Sequence, residues 1–289
     1  MTARHLLERI VLQEDLNFLL TNRIPRHLAT RFMGWFSRIE NPVVCGLSLA
    51  AWKLFADLEL GDARKNRFTS LHDCFTRELR DGARPIDTTP GILVSPCDGI
   101  VGACGAIDGV QVIQAKGFPY TLTELLGERQ WVDRYRDGTY ATIRITSSMY
   151  HRFHAPADCA VRRVNYIAGD TWNVNPIALK RVERLFCRNE RAAIELTLPR
   201  GERVTLVAVA AILVAGIRLN FAHTLFNLSY RGPNVLACDA RLARGEEMGW
   251  FEHGSTIIVF APRGFVLCGG IADGRRVRMG EALLRPQRP

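Results

Sequence analysis

The sequence predicts an α+β protein: a mainly antiparallel β domain with helical decoration, preceded by an N-terminal helical region. Three observations predict it. Up to about residue 65, apolar residues recur at helical spacing between charged ones. From about Gly91 the chain changes to short β-rich runs punctuated by Gly, Pro or Asp. And 289 residues, 47% hydrophobic, without low-complexity tracts or repeats, are ample for one large domain with an appendage.

The helical region comes first, with residues 1–70 expected to form it and 71–289 the β domain. Leu6, Leu7, Ile10 and Val11 fall at helical spacing. Pro25 opens a second helix, because Pro is tolerated in a first turn. Its apolar residues, Leu28, Phe32, Trp35, Phe36 and Ile39, cover one narrow face. Arg31 and Arg38 flank that face, Arg26 and His27 lie further round, and no acidic residue occurs between Asp15 and Glu40. Such a helix suits an anionic membrane surface, and equally a core helix with a basic solvated edge. Asn41-Pro42 breaks the pattern, and a third helix is expected from Val43 to Leu58. Ser48, Lys53 and Asp57 interrupt it, so it is too short and too polar to span a bilayer. Arg80 to Pro85 reads as a linker.

The strand-like runs are Ile92–Val94, Gly99–Val101, Val110–Ile113, Tyr140–Ile145, Val204–Val207 and Ser255–Phe260. Helices are expected over Leu122–Gly127 and Pro176–Phe186. Many short strands with few helices argue for antiparallel pairing.

Formal net charge is +9, from 38 Lys and Arg against 29 Asp and Glu. A basic surface suits anionic partners, whether nucleic acid, phosphorylated ligand or acidic lipid. Eight cysteines contain no Cys-x-x-Cys pair, which argues against a zinc ribbon or redox motif. No signal-peptide pattern opens the chain, so the thiols are expected to be reduced, in a cytosolic compartment.

Three segments carry polar residues that a β core does not need. Asp98 precedes Gly99 in Ser95-Pro96-Cys97-Asp98-Gly99, where turn chemistry alone would account for it. His151 and His154 stand three apart in Tyr150-His151-Arg152-Phe153-His154-Ala155-Pro156. No metal site is expected there, because no nearby Cys, Asp or Glu has useful spacing. A histidine general base is the better functional reading, with packed structural histidines as the alternative. Ser255 follows Gly254 and precedes Thr256. Asp98, His154 and Ser255 together contain the parts of an acid–base–nucleophile triad. A serine hydrolase is thus one candidate, although its Gly-x-Ser-x-Gly elbow is absent. A non-catalytic β module that binds membranes through the N-terminal helices is another.

These segments, in order from about residue 71 to 284, resemble the pyruvoyl-dependent phosphatidylserine decarboxylases. The resemblance is carried by Phe75-Thr76-Arg77-Glu78-Leu79 with Arg84-Pro85-Ile86, by Ser95 to Gly99, and by Lys116-Gly117-Phe118-Pro119-Tyr120. It continues through Tyr150 to Pro156, Asn173-Val174-Asn175-Pro176, Asn189-Glu190-Arg191, and Gly245 to Thr256. Cys97 stands where the family usually has Ala, and His253 where Leu is frequent. The resemblance implies that His154, oriented by Asp98, deprotonates Ser255, which attacks the Gly254 carbonyl. The chain would then split between Gly254 and Ser255, giving a β chain of residues 1–254 and an α chain of residues 255–289. Ser255 would become a covalent pyruvoyl group, the only cofactor implied. It would form a Schiff base with phosphatidylserine and release carbon dioxide to leave phosphatidylethanolamine, with His151 as proton donor. The implied setting is an anionic membrane, bound peripherally from the cytoplasmic side. The implied assembly is a dimer of αβ units, and nucleic acid is not a partner.

Overall fold

The computed structural model describes residues 14–22, 24–115, 118–213, 216–252 and 255–287. The spacing at Leu6 to Val11, the Lys116-Gly117 pair, His253 and Gly254, where cleavage is expected, lie outside the described residues. Four helices come first: α1 (Glu14–Asn22), α2 (Arg26–Phe36), α3 (Pro42–Phe55) and α4 (Leu71–Phe75). Then follow β1 (Leu93–Val94), β2 (Gly99–Ala106), β3 (Gln111–Ala115), β4 (Phe118–Thr121), α5 (Leu122–Leu126), α6 (Arg129–Tyr135), β5 (Thr139–Ile145), β6 (Arg152–His154) and β7 (Cys159–Ile167). Next are α7 (Pro176–Leu179), α8 (Leu185–Arg188), β8 (Arg191–Thr197), β9 (Arg203–Ala210), β10 (Gly216–Leu219), β11 (Thr224–Asn227) and β12 (Val235–Leu242). The chain closes with β13 (Glu247–Phe251), β14 (Ser255–Ala261), β15 (Phe265–Leu267), β16 (Arg276–Val277) and β17 (Ala282–Pro286). The expected α+β class, mainly antiparallel, is what the structure has.

The main sheet has eight strands in the order β12-β7-β8-β9-β14-β5-β2-β16. A second sheet has the order β11-β10-β13-β6. One core fills the space between them, with Ile257 and Val259 of β14 packed in a cluster with Phe153, Ile217, Phe226 and Phe251 of the second sheet. A second core lies on the opposite face of the main sheet, where Ile258 and Phe260 join Trp131 and Tyr135 of α6 and the leucines of α5. Strand β14 is therefore buried on both faces, which is why Ile257-Ile258-Val259-Phe260 is continuously apolar rather than alternating.

Local signals explain the helix ends. Thr121 and Glu124 form a capping box at the start of α5, and Gly127 ends it at φ +79°, a conformation that favours glycine. The helix expected from Pro176 to Phe186 is instead two short turns. Asn175 caps the first, and Arg184 in the left-handed region (φ 54°) separates it from the second. The segment read as a linker is pinned rather than free: Arg84 bonds both Asp98 and Asp62.

Three passages of the chain between the sheets meet at one end of the sandwich. Residues 146–151 join β5 to β6, 211–215 join β9 to β10, and 252–254 join β13 to β14. Register places these crossovers together, because Ser255 pairs with both Ile145 and Ala210. The N-terminal helices cover this end. The Thr30 hydroxyl accepts from Leu213 N–H at 3.1 Å, Arg38 pairs with Glu252, and the Phe75 ring lies 3.9 Å from that of His151.

Candidate active site

Ser255 is the first residue of β14, in the middle of the main sheet. Ile257, two residues on, faces the space between the sheets, so strand alternation turns Ser255 to that same side. Its hydroxyl is fully buried and has no hydrogen-bond partner among the described residues. A buried hydroxyl without a partner costs about 1–3 kcal/mol, so the position calls for a functional account.

The two histidines separate by face. His151 precedes β6 in the 146–151 crossover, and its carbonyl accepts from Phe251 N–H at 3.0 Å. Its Nδ1 lies 2.9 Å from the Met149 carbonyl. A carbonyl only accepts, so Nδ1 carries a proton and donates it to that bond. His151 shares the inward parity of Phe153, which belongs to the inter-sheet core. His154 lies three residues further along β6, about 10 Å from the crossover end. It pairs with Glu247, and its side chain lines a cavity of about 330 Å³ on the outer side together with Tyr150, Glu247, Glu78 and Arg84. Its Nδ1 donates to the Gly245 carbonyl at 2.9 Å, and its Nε2 accepts from the Tyr150 hydroxyl at 3.0 Å. Burial holds this imidazole below its ordinary pKa, favouring the neutral form that this pattern needs.

Asp98 and His154 are backbone neighbours, since His154 N–H donates to the Pro96 carbonyl at 2.8 Å. The side-chain hydrogen bond expected between them is not made. The Asp98 carboxylate instead receives Arg84 Nε at 2.9 and 3.0 Å, Arg84 Nη2 at 2.6 Å, and Met279 N–H at 2.9 Å. A bidentate guanidinium is the stronger partner for a buried carboxylate. Asp98 thus ties the entry segment to the C-terminal strands, and the Gly245 carbonyl takes the orienting place at His154.

Sequence reading assigned no role to Arg84, Tyr150, Glu190 or Glu252, although each lies in a segment it singled out. Glu252 is buried beside the crossover, held by Arg38 with His72 Nδ1 at 3.6 Å. Burial lowers the His72 pKa. Gly216 makes room for Glu252, because a Cβ there would lie 2.7 Å from the Glu252 Cγ. A second cavity of about 600 Å³ opens between α2 and β11, bordered by Arg31, Trp35, Arg38, Leu225 and Glu252.

The family model described as phosphatidylserine decarboxylase matches residues 71–285. A phosphatidylserine decarboxylase proenzyme from Haemophilus influenzae is 31% identical over 273 residues, covering 90% of this chain and 92% of that protein. The proteins of the same name from Methylibium petroleiphilum and Bordetella pertussis are 35% and 34% identical. They are covered to 98% and 91% of their lengths, by 94% and 91% of this chain. With ordered motifs and a match this long, the chain belongs to the phosphatidylserine decarboxylase family.

Proposed function

We propose that this protein decarboxylates phosphatidylserine to phosphatidylethanolamine after cutting itself between Gly254 and Ser255. The observation that carries the reading is the buried Ser255 hydroxyl, without a partner among the described residues, at the sandwich end where three crossovers meet. In the cleavage step the Ser255 Oγ loses its proton to a base and bonds to the Gly254 carbonyl carbon. The peptide C–N bond breaks, the nitrogen takes up a proton, and an ester replaces the amide. Loss of the Ser255 Cα proton with breakage of the Cβ–Oγ bond separates residues 1–254, ending in a carboxylate, from 255–289, and one water hydrolyses the resulting imine, releasing ammonia and leaving a pyruvoyl group. The position fits the group, since the Ser255 Oγ that leaves with the Gly254 carboxylate has no hydrogen-bond partner among the described residues, and its loss forfeits no hydrogen bond. A pyruvoyl carbonyl supplies the electron sink for carbon dioxide loss from an amine-bearing substrate.

The chain's own residues exclude water and handle protons. The resemblance implies a relay of Asp98, His154 and Ser255, with His151 donating the later proton. A specific observation favours a second assignment for cleavage: His151, not His154, has the inward parity of Phe153 and so shares Ser255's inter-sheet face. His151→Ala and His154→Ala distinguish the two. The variant lacking the cleavage base accumulates uncut chain, whereas the other is cut and turns over slowly.

A lipid substrate is supported by the helices over this end. Leu28, Phe32 and Trp35 of α2 and Val43, Leu47 and Leu54 of α3 are exposed, with Arg31 beside them. Among the described residues no helix is long and apolar enough to cross a membrane, so the reading is peripheral attachment. Denaturing electrophoresis with mass spectrometry tests the whole. Wild type should give fragments 1–254 and 255–289, the latter with a blocked N-terminus, and Ser255→Ala should stay whole and inactive. An intact, active chain with an unmodified Ser255 would sink the reading.

A further inference from the structure

A carboxyl group that the cleavage scheme does not use lies on the same face as Ser255. Glu190 immediately precedes β8, and its carbonyl accepts from Ala210 N–H at 2.9 Å. Ala210 in turn pairs with Ser255. The three residues therefore occupy one row across the main sheet. Glu190 and Ser255 stand two strand spacings, or about 10 Å, apart at the backbone. Ala192, two residues after Glu190, lies in the inter-sheet core, so Glu190 points inward as Ser255 does. Arg191 points the other way, bonding the Leu125 and Glu124 carbonyls. Only the methyl group of Ala210 stands between Glu190 and Ser255 in the row. Asn189 steadies it by donating to the Ala210 carbonyl at 2.9 Å.

Glu190 is 1% exposed, and its Oε1 has no partner among the described residues. The Tyr166 hydroxyl is its polar neighbour. Tyr166 stacks on Phe226 of the second sheet at 4.4 Å and meets Tyr230 edge-on, with Arg231 as the nearby cation. On the third side Glu190 N–H donates to the Asp170 carbonyl, and the Asp170 carboxylate is occupied by Arg26. A buried acid oxygen beside a buried nucleophile, with no cation paired to it, is arranged for a ligand that brings its own positive charge.

We propose that Glu190 receives the amino group of the serine headgroup and takes its proton, a role that rests on the decarboxylase reading above. An ammonium N–H bond breaks, the proton passes to the Glu190 carboxylate, and nitrogen keeps the electron pair it needs to attack a carbonyl carbon. Burial pushes the Glu190 carboxyl up to about 7, so both of its forms are populated at neutral pH, as a proton carrier requires. No other residue named above offers a carboxyl to this row.

The test uses the mature, self-cleaved protein and two amines. Short-chain phosphatidylserine with cyanoborohydride leaves a reduced adduct on fragment 255–289, read by mass. Methoxyamine, weakly basic and already neutral at pH 7, needs no proton acceptor and reports only that the carbonyl is present and open. Glu190→Gln should slow lipid trapping about 100-fold at pH 7, with recovery as the pH approaches the headgroup amine's own pKa. It should leave the methoxyamine rate unchanged. Glu190→Asp, which keeps a displaced carboxyl, should trap lipid faster than Glu190→Gln and carries the test if the latter does not fold. Equal lipid trapping by wild type and variant overturns the proposal, as does a parallel loss with both amines, which would mark a structural role. No methoxyamine adduct in wild type overturns the underlying pyruvoyl reading, and this inference with it.

Discussion

Glu190 and His154 titrate in opposite senses, and their pH signatures separate them. Glu190 has its folded pKa raised from 4.5 to about 7, so the stability it contributes is fully present below about 4.5 and is lost as pH rises to 7. His154 has its pKa lowered, so its contribution is present above 6.5 and is lost as pH falls. Comparison of Glu190→Gln with wild type isolates the carboxyl. The variant should gain stability relative to wild type between pH 5 and pH 8, by at most about 3 kcal/mol. Urea unfolding at the two pH values measures it, and a constant difference would show that the carboxyl is not held high. Arg84 offers a second residue-scale outcome. Arg84→Ala leaves the Asp98 charge buried with only Met279 N–H as partner, and should lower stability by about 3 kcal/mol, read as a fall in Tm. Asp98 was legible as a functional candidate from its Pro-Cys-Asp-Gly setting. Its true partner was not, because Arg84 lies in a stretch that reads as a linker by composition alone.

The element with the most distinctive surface is α2. Of its four flanking cations, Arg26 and Arg38 are taken by carboxylates of the β domain. Arg26 bonds Asp170 at 2.6 and 3.1 Å and lies over the Trp172 ring, and Arg38 pairs with Glu252. Arg31 is left exposed beside Phe32 and Trp35. Helical periodicity therefore marks the apolar face, whose Leu28, Phe32 and Trp35 are exposed, but not which of the flanking arginines the β domain takes up. A carboxylate 144 residues away in the chain is invisible to local spacing. Two expectations follow from this division of labour. Phe32→Ser with Trp35→Ser should leave Tm nearly unchanged, since both rings are exposed, yet weaken binding to anionic vesicles at least about tenfold in co-sedimentation. Arg26→Ala should do the reverse, lowering Tm through about 1–3 kcal/mol while sparing vesicle affinity.

At the scale of the whole molecule, the proposed cut falls at a crossover between sheets and not within a ladder. Strand β14 lies between β9 and β5 along its length, and β16 and β17 pair with β2 and β1. Fragment 255–289 would thus remain the middle of the main sheet after cleavage, with its apolar side chains divided between both cores. The two fragments should co-elute in native size exclusion and separate only on denaturation. Release of 255–289 from a folded remainder under native conditions would contradict this topology.

The sequence by itself determined the class of fold, the place of β14 as a strand and the family, because these rest on local hydrophobic period and on ordered motifs. It also drew attention to Asp98, His151, His154 and Ser255. Only the tertiary structure decided which histidine shares the inter-sheet face with Ser255, that Arg84 rather than His154 holds Asp98, and that Glu190 completes the Ser255–Ala210 row. The physical reason is common to all three. A strand offers two faces, and a residue's parity on its strand is readable from the chain. Which faces meet is set by register between strands dozens of residues apart, which no local pattern encodes.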